Sequence, residues 1–228
     1  MGERTFTEMQ TDLKLELGNR DDTIVTSARL GDWINQAYIQ LTCAKRIFEI
    51  KKRLYFPELE VFDWSKSTAN TTKTISIPTG CIVIRHIKMS SGGDNKPLVR
   101  MTEKKYWDYI PNTSGYGEPT HWVRYNNQIY LYPTPDATYK MRIAYKKRPT
   151  LLSSGDDLTA IGDEWDDPIV QLAVIRSHLR IGEIDKANAK RSYFNEAVSN
   201  IVELYFEEEL ALDGRITPTF ELTNKENY

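Results

Sequence analysis

The chain has 228 residues, of which 40% are hydrophobic and 27% are charged, and its net charge is −2. Such a chain is long enough to bury a core of its own and has the composition of an ordinary globular protein. Because proteins that grip nucleic acid usually carry a basic excess, the nearly neutral charge argues against that class as the main function.

The cysteines argue against a disulfide-rich or zinc-binding protein, and the apolar patterning argues against a secreted or membrane-spanning one. Cys43 and Cys81 lie in apolar runs, where we expect small buried hydrophobes, and they give neither a disulfide framework nor a zinc-binding spacing. No signal-type apolar segment follows Met1, and no stretch has the length of a transmembrane helix. We therefore expect a protein that is made, and folds, in a cytoplasm.

The N-terminal part of the chain has the apolar spacing of helices. Apolar residues step by three and four over residues 6–17, and Gly18 supplies a stop. A longer stripe with helical spacing runs over residues 30–48. Thr26 or Ser27 is the expected N-cap of this second helix.

The middle of the chain changes to a period of two, which is typical of half-buried strands. Asn126-Asn127 lies between two such runs and predicts a tight hairpin turn, because asparagine tolerates a positive φ. A short helix is expected over residues 102–109, with Thr102 as its cap. The expected strands, which we interpret as an antiparallel meander, cover residues 75–77, 82–87, 121–125, 128–132 and 139–145.

The last third of the chain is predicted to be helical again. Asp163 or Asp166 is the expected cap of one helix, which Gly182 ends. A final helix is expected over residues 185–212, with Gly214 as its stop. The remaining residues are polar with a few isolated large apolar side chains, so we expect an extended C-terminal tail that becomes ordered on assembly.

Together these elements predict an α+β fold. The N- and C-terminal helices form a helical body, an antiparallel β meander is inserted between them, and an extended C-terminal tail follows. We expect a single domain over residues 1–214 and a tail over residues 215–228. The parts of that domain are a helical segment 1–56, a β-rich insertion 57–150 and a second helical segment 151–214.

The sequence contains no recognisable catalytic or metal-binding pattern. His86, His121 and His178 lie in separate elements and are not accompanied by a serine or cysteine nucleophile motif. Glycine patterns that bind phosphates or dinucleotides are also missing. We therefore expect no catalytic residue, no cofactor and no bound metal.

Charge is nevertheless distributed unevenly along the chain. An acidic stretch matches no calcium loop, and we interpret its carboxylates as complementing a helix dipole. For two basic clusters, solvated faces or contacts between subunits are preferred over nucleic-acid binding; the second is placed on the outer face of a strand and its exit. The acidic residues are Asp156, Asp157, Asp163, Glu164, Asp166 and Asp167; the basic clusters are Lys45, Arg46, Lys51, Lys52 and Arg53, and Lys140, Arg142, Lys146, Lys147 and Arg148.

Several motifs, taken in order, resemble a family of tailed-bacteriophage head-to-tail adaptors, also called connector or neck ring proteins. The stretch from Asn127 to Asp136 is similar to that family's N-x-IYLYPTPD segment, and Leu30 to Ala37 is similar to its L-x-x-W-I-N-x-A helix. Ile75 to Pro78 resembles its strand before a turn, and Lys147 to Ile169 resembles its transition into the last helices. The matched order covers roughly residues 25–180.

The resemblance implies a structural protein of the virion neck, between the capsid portal and the tail. The expected assembly is a homo-oligomer, a twelve-fold ring beneath the portal protein. DNA passes through the ring in transient contact with it, a tail or neck protein docks below, and no membrane is involved. The family brings no catalytic residues to carry over.

A ring closes by contact between two different surfaces of the same subunit, and opposite charges on one nearly neutral chain suit such contacts. The C-terminal tail is expected to reach the portal or a neighbouring subunit. The expected subunit-interface residues are Lys140, Arg142, Lys146, Lys147, Arg148, Asp156, Asp157, Asp163 and Asp166. The expected portal-binding residues are Ile216, Phe220, Leu222 and Tyr228.

Other functions remain as alternatives at this point. A nucleic-acid-binding module would use the basic clusters, and a tail-associated hydrolase would need a catalytic constellation that the sequence does not contain. A receptor-binding tail protein would use exposed aromatic residues. Binding of carbohydrate by the aromatic residues is disfavoured because several of them are expected in the sheet core; they are Trp107, Tyr109, Tyr116, Trp122 and Tyr125.

Overall fold

The structure is a computed structural model that describes residues 4–20, 25–44, 47–48, 54, 56–91, 94–109 and 115–212, without the side chains of 91, 94, 109 and 205–212. The chain falls into two compact units. The helical unit comprises residues 1–37, 45–54 and 163–228, and the sheet unit comprises 38–44 and 55–162. The mixed α+β character is confirmed, whereas the predicted single domain over residues 1–214 stays a prediction.

The described helices are α1 (Phe6–Glu16), α2 (Ser27–Cys43), α3 (Glu103–Tyr109), α4 (Asp166–Ile181) and α5 (Ile184–Leu212). The strands are β1 (Glu60–Ser67), β2 (Thr74–Ser76), β3 (Cys81–Ser91), β4 (Asp94–Arg100), β5 (His121–Tyr125), β6 (Gln128–Tyr132) and β7 (Lys140–Lys147). Short 3-10 turns cover Pro57–Leu59 and Asp163–Trp165. None of these helices is both long enough and apolar enough, over the residues described, to cross a membrane.

The helical unit is built from the two ends of the chain. Helix α1 begins with a capping box, in which the Thr5 hydroxyl accepts from the Glu8 backbone N–H and the Glu8 carboxylate accepts from the Thr5 backbone N–H. Its buried apolar face packs on α4, and Arg4 N donates to an Asp166 carboxylate oxygen at 3.0 Å. Helix α4 ends at Gly182, whose φ of +86° allows the left-handed cap that separates α4 from α5.

The sheet unit contains seven strands in the order β1-β7-β3-β4-β5-β6-β2. Consecutive antiparallel pairing, as in a meander, occurs in the hairpins β3–β4 and β5–β6. Strand β7 lies between β1 and β3, and β4 pairs with β5 in parallel. The core of this unit is apolar, and its fully buried members include Ile87, Met89, Ile129 and Ile143.

Some helix caps and turns that local residues predict are present in the structure, and others are not. Thr26 caps α2 and Thr102 caps α3, each by accepting from a backbone N–H at 3.3 Å, which confirms both predictions. Asn126 and Asn127 have φ of 45° and 57°, which confirms the predicted hairpin turn. The predicted aspartate caps of α4 are wrong: Trp165 occupies the N-cap position, Asp163 begins a 3-10 turn, and Asp166 accepts from Arg4.

Helix α2 also ends earlier than the apolar spacing predicts. It stops at Cys43, and Phe48 further along has a φ of +47°, which a continuing helix cannot adopt. The predicted apolar stripe continues in sequence past that point, but the helix does not. At this point the Lys146 side chain of β7 reaches the last turn of α2 and binds the Thr42 carbonyl oxygen.

Candidate interaction surface

The second basic cluster lies along β7 and its exit. Lys140, Lys147 and Arg148 are exposed and Arg142 is half-buried. Lys146 is only 1% exposed, so its predicted position on the outer face is wrong. The neighbouring strand β3 has register shifts opposite this part of β7, and the alternation of buried and open positions along β7 gives way to continuous burial over 143–146.

Lys146 is engaged inside the sheet unit. Its Nζ donates to the Thr42 carbonyl oxygen at 2.7 Å and lies 5.0 Å from the centroid of the Phe56 ring. Thr42 is in the last turn of α2, where carbonyl groups have no donor partner within the helix. A cation at this end also complements the helix dipole. Lys146 is therefore a helix-capping residue within the subunit.

The predicted acidic residues are divided between the two units. Asp156 is exposed in the sheet unit, and Asp163 is half-buried in the helical unit. Asp157 accepts from the backbone N–H groups of Ser153 and Ser154 at 2.6 and 2.7 Å, which lowers the pKa of its carboxyl group. Asp166 is 2% exposed. Asp157 and Asp166 thus already have internal partners, and Asp156 and Asp163 carry the more available charge.

The outward-facing side of the sheet near β1 carries exposed aromatic and cationic side chains together. Phe62 and Trp64 on β1, at one edge of the sheet, are each 54% exposed. The guanidinium carbon of Arg142 lies 3.9 Å from the Trp64 ring centroid and 5.1 Å from that of Phe62. Such cation–π contacts orient the guanidinium group without neutralising its charge.

Strand register extends this surface across β3. Lys88 is paired with Arg142 and Ser90 with Lys140, so these side chains project from the same side of the sheet. We call Phe62, Trp64, Lys88, Lys140 and Arg142 the cationic face. A groove of about 420 Å³ opens on it, and no carboxylate lines it. Its lining residues are Trp64, Ser65, Lys66, Ser67, Ser90, Asn95, Lys140, Met141 and Arg142.

The cations of this face have no carboxylate partner among the residues that the structure describes. The Nε atom of Arg142 is buried and makes no hydrogen bond within those residues. Lys140 and Arg142 are predicted from the sequence as interface residues, whereas Phe62, Trp64 and Lys88 are not. Phe62 and Trp64 are two positions apart, and that spacing of large aromatic residues is equally typical of a core-facing strand.

The other aromatic residues form a separate cluster, where α3 packs on the β5–β6 hairpin. Trp107 makes edge-on contacts with Tyr106 and Tyr125, with ring centroids 5.6 and 5.5 Å apart. Burial raises the pKa of Tyr106 to about 12. Trp122 belongs to the core. These residues therefore present no common flat platform for a sugar ring; Tyr116 is exposed, and the side chain of Tyr109 lies outside the described residues.

The histidines are not brought together. His86 lies beside Phe62, His121 beside Thr120, and buried His178 places Nδ1 2.8 Å from a Glu183 carboxylate oxygen. Within the described part of the chain, no cluster of three or more His, Cys, Asp or Glu side chains could hold a metal ion. The predicted portal-binding residues Ile216, Phe220, Leu222 and Tyr228 lie outside the described residues.

An α+β chain with an exposed, unneutralised surface of aromatic and cationic residues has the features of a protein that docks onto other proteins. The chain belongs to the SU10 adaptor protein family, whose match covers residues 4–215. This match confirms the resemblance to phage head-to-tail adaptors, a family of structural proteins of the virion neck. No curated protein matches the chain.

Proposed function

We propose that the protein is a head-to-tail adaptor that assembles as a twelve-fold ring beneath the portal protein. DNA passes through the ring, and a tail or neck protein docks onto its lower side. The single observation that carries this proposal is the family match over residues 4–215, because it covers both the helical and the sheet unit. The tail, with Ile216, Phe220, Leu222 and Tyr228, is the proposed portal-binding segment.

The charges of the subunit support this assembly. A cyclic ring uses a heterologous contact, in which one surface of each subunit meets a different surface of the next. The exit of β7, with exposed Lys147 and Arg148, is one such surface, and Asp156 and Asp163 are its proposed counterparts on the neighbour. Lys146, Asp157 and Asp166 contribute less to this contact because they have the internal partners described above.

The low net charge suits passage of DNA. A protein that neutralises many phosphates binds DNA tightly and in a strongly salt-dependent manner. With a net charge of −2, the subunit gains little from such binding overall, and the contact with moving DNA is transient. A channel that held DNA tightly would oppose its passage.

The mass of the purified protein, measured alone and after mixing with its portal protein, tests this proposal. A complex of the portal ring with twelve copies of the chain is the expected result. A chain that stays monomeric and does not bind the portal would contradict the adaptor function. Sub-micromolar binding to DNA with a steep loss of affinity in salt, in the absence of portal binding, would instead favour the nucleic-acid-binding alternative.

A further inference from the structure

We propose that the cationic face of one subunit is the docking surface for the acidic end of α5 from a neighbouring copy. The acidic end is the segment 196–212 of that helix. This inference rests on the proposed ring, because it supplies one of the contacts that close it.

The cationic face has the charge and the open groove that bind carboxylates. Three other exposed or half-buried cations of the described chain, Arg20, Arg85 and Lys96, each have a glutamate partner within 2.9 Å. Lys88, Lys140 and Arg142 have none among the described residues. Arg142 is half-buried, stacks on Trp64 and lines the groove, so a planar carboxylate that enters the groove gains both charge and hydrogen bonds from the guanidinium group.

The acidic end of α5 leaves the core of its own unit. Val198 is 1% exposed, whereas Val202 and Leu204, the next apolar side chains on from Ile201, are 37% and 66% exposed. Between Ser192 and Asp213 the sequence contains no lysine, arginine or histidine. The acidic residues of the acidic end are Glu196, Glu203, Glu207, Glu208 and Glu209.

Acidic residues at this end of a helix are unfavourable in isolation. The C-terminus of a helix carries a partial negative charge, so glutamates there are repelled and cations are favoured. The last turn of α5 contains no basic residue. A cationic partner from outside the subunit removes this repulsion, and the cationic face offers such a partner.

The apolar parts of the two surfaces also match. Exposed Phe62 and Trp64 flank the cations on the face, and exposed Val202 and Leu204 accompany the glutamates on the helix. An apolar centre with charged groups around it is the usual composition of a protein interface. The two surfaces are different parts of the same chain, as a heterologous contact that propagates from copy to copy requires.

Nucleic acid is the other anion that a face of aromatic and basic residues can bind. A second copy is favoured because the same chain carries an acidic helix end that lacks cations of its own. The two occupants are separated by the test below.

Paired charge reversals test the contact in the full-length protein. One variant carries Lys140→Glu and Arg142→Glu, and the other carries Glu207→Lys and Glu208→Lys. When only one of the two variants is present, the protein concentration needed for assembly is expected to rise about tenfold or more, both in the absence of the portal ring and on it. An equimolar mixture of the two is expected to restore assembly in an alternating ring. There the reversed, acidic face of the first variant meets the reversed, basic helix end of the second. The native face of the second variant meets the native helix end of the first.

The matched control is Lys104→Glu with Lys105→Glu on α3, which changes the net charge equally at exposed positions outside the groove. It is expected to assemble as the parent does. Because Arg142 is half-buried, Lys88→Glu with Lys140→Glu is a second face variant that leaves the Arg142–Trp64 contact in place. Circular dichroism and the thermal midpoint of each variant confirm that it is folded.

Three results would overturn the inference. If the parent forms a ring and both face variants assemble equally well, the face is not a ring contact, although the adaptor function stands. If the face variants lose affinity for DNA while assembling normally, the occupant is nucleic acid. If the parent itself assembles neither alone nor with the portal, the ring and this contact are both wrong.

Discussion

Lys146 shows how a single residue of a basic cluster can be structural while its neighbours are open to partners. Its Nζ donates to the Thr42 carbonyl oxygen and lies near the Phe56 ring. Lys146→Met keeps most of the aliphatic stem but removes the donor. Because a buried polar group is then left without this partner, we expect the free energy of unfolding to fall by about 1–3 kcal/mol, measured by urea denaturation.

The adjacent Lys147 provides the control for this substitution. It is exposed, so Lys147→Met is expected to change the free energy of unfolding by less than about 0.5 kcal/mol. Equal effects of the two substitutions would show that Lys146 is not the capping residue described here.

Glu183 connects three basic side chains at the turn between α4 and α5. Hydrogen bonds from Lys186, Arg20 and His178 lower the pKa of its carboxyl group from 4.5 to about 2. A depressed pKa stabilises the folded state above pH 4.5, and this stabilisation is lost as the pH falls from 4.5 towards 2. Glu183→Gln is therefore expected to lower the thermal midpoint at pH 7 and to flatten its decline over that acid range.

Thermal melting across this pH range provides the measurement for Glu183. Glu58→Gln, at an exposed glutamate ahead of β1, is the matched control and should leave the profile close to that of the parent. An unchanged acid slope in Glu183→Gln would show that the hydrogen-bonded cluster does not contribute to acid stability.

At the scale of single elements, the β5–β6 hairpin depends on its two-residue turn. Asn127 has a φ of 57°, which asparagine and glycine adopt more easily than alanine does. Asn127→Ala is expected to lower the free energy of unfolding by about 1 kcal/mol, whereas Asn127→Gly is expected to leave it unchanged or raise it slightly. Chemical denaturation of the two variants side by side checks this; equal losses would exclude turn strain as the cause.

Local chemistry explains which elements could be predicted from the sequence. Thr26, Thr102 and the Asn126-Asn127 pair act through contacts within a few positions, so their roles were readable without knowledge of the fold. The end of α2 was not predictable in this way, because it coincides with a contact from Lys146, 104 positions further along the chain. The position of β7 between β1 and β3 is equally a long-range property.

The candidate surface was predictable only in part for the same reason. The charge of Lys140 and Arg142 is visible in the sequence. Strand register, however, is what brings them close to Lys88 and Trp64. The spacing that brings Lys140 and Arg142 to one face of β7 places Lys146 there too. Register shifts in β3 and burial of the end of β7 against α2 remove Lys146 from that face.

At the scale of the whole molecule, the proposed ring makes the exit of β7 a contact surface. Lys147→Glu with Arg148→Glu reverses exposed charges there and is expected to weaken assembly while leaving the thermal midpoint of the subunit nearly unchanged. Native mass measurement of the assembled and free fractions checks the first effect, and thermal melting checks the second. Unchanged assembly would remove this surface from the proposed interface without affecting the α5 contact.

The sequence separation of paired elements also sets an order for folding during synthesis. Pairing of β1 with β7 requires the chain only as far as Lys147, so the central sheet is complete once that strand has left the ribosome. Arg4 meets Asp166 across 162 positions, so the helical unit must wait for α4. Until then the apolar side of α1, with Phe6, Met9 and Leu13, lacks its packing against α4 and is open to chaperones or to aggregation.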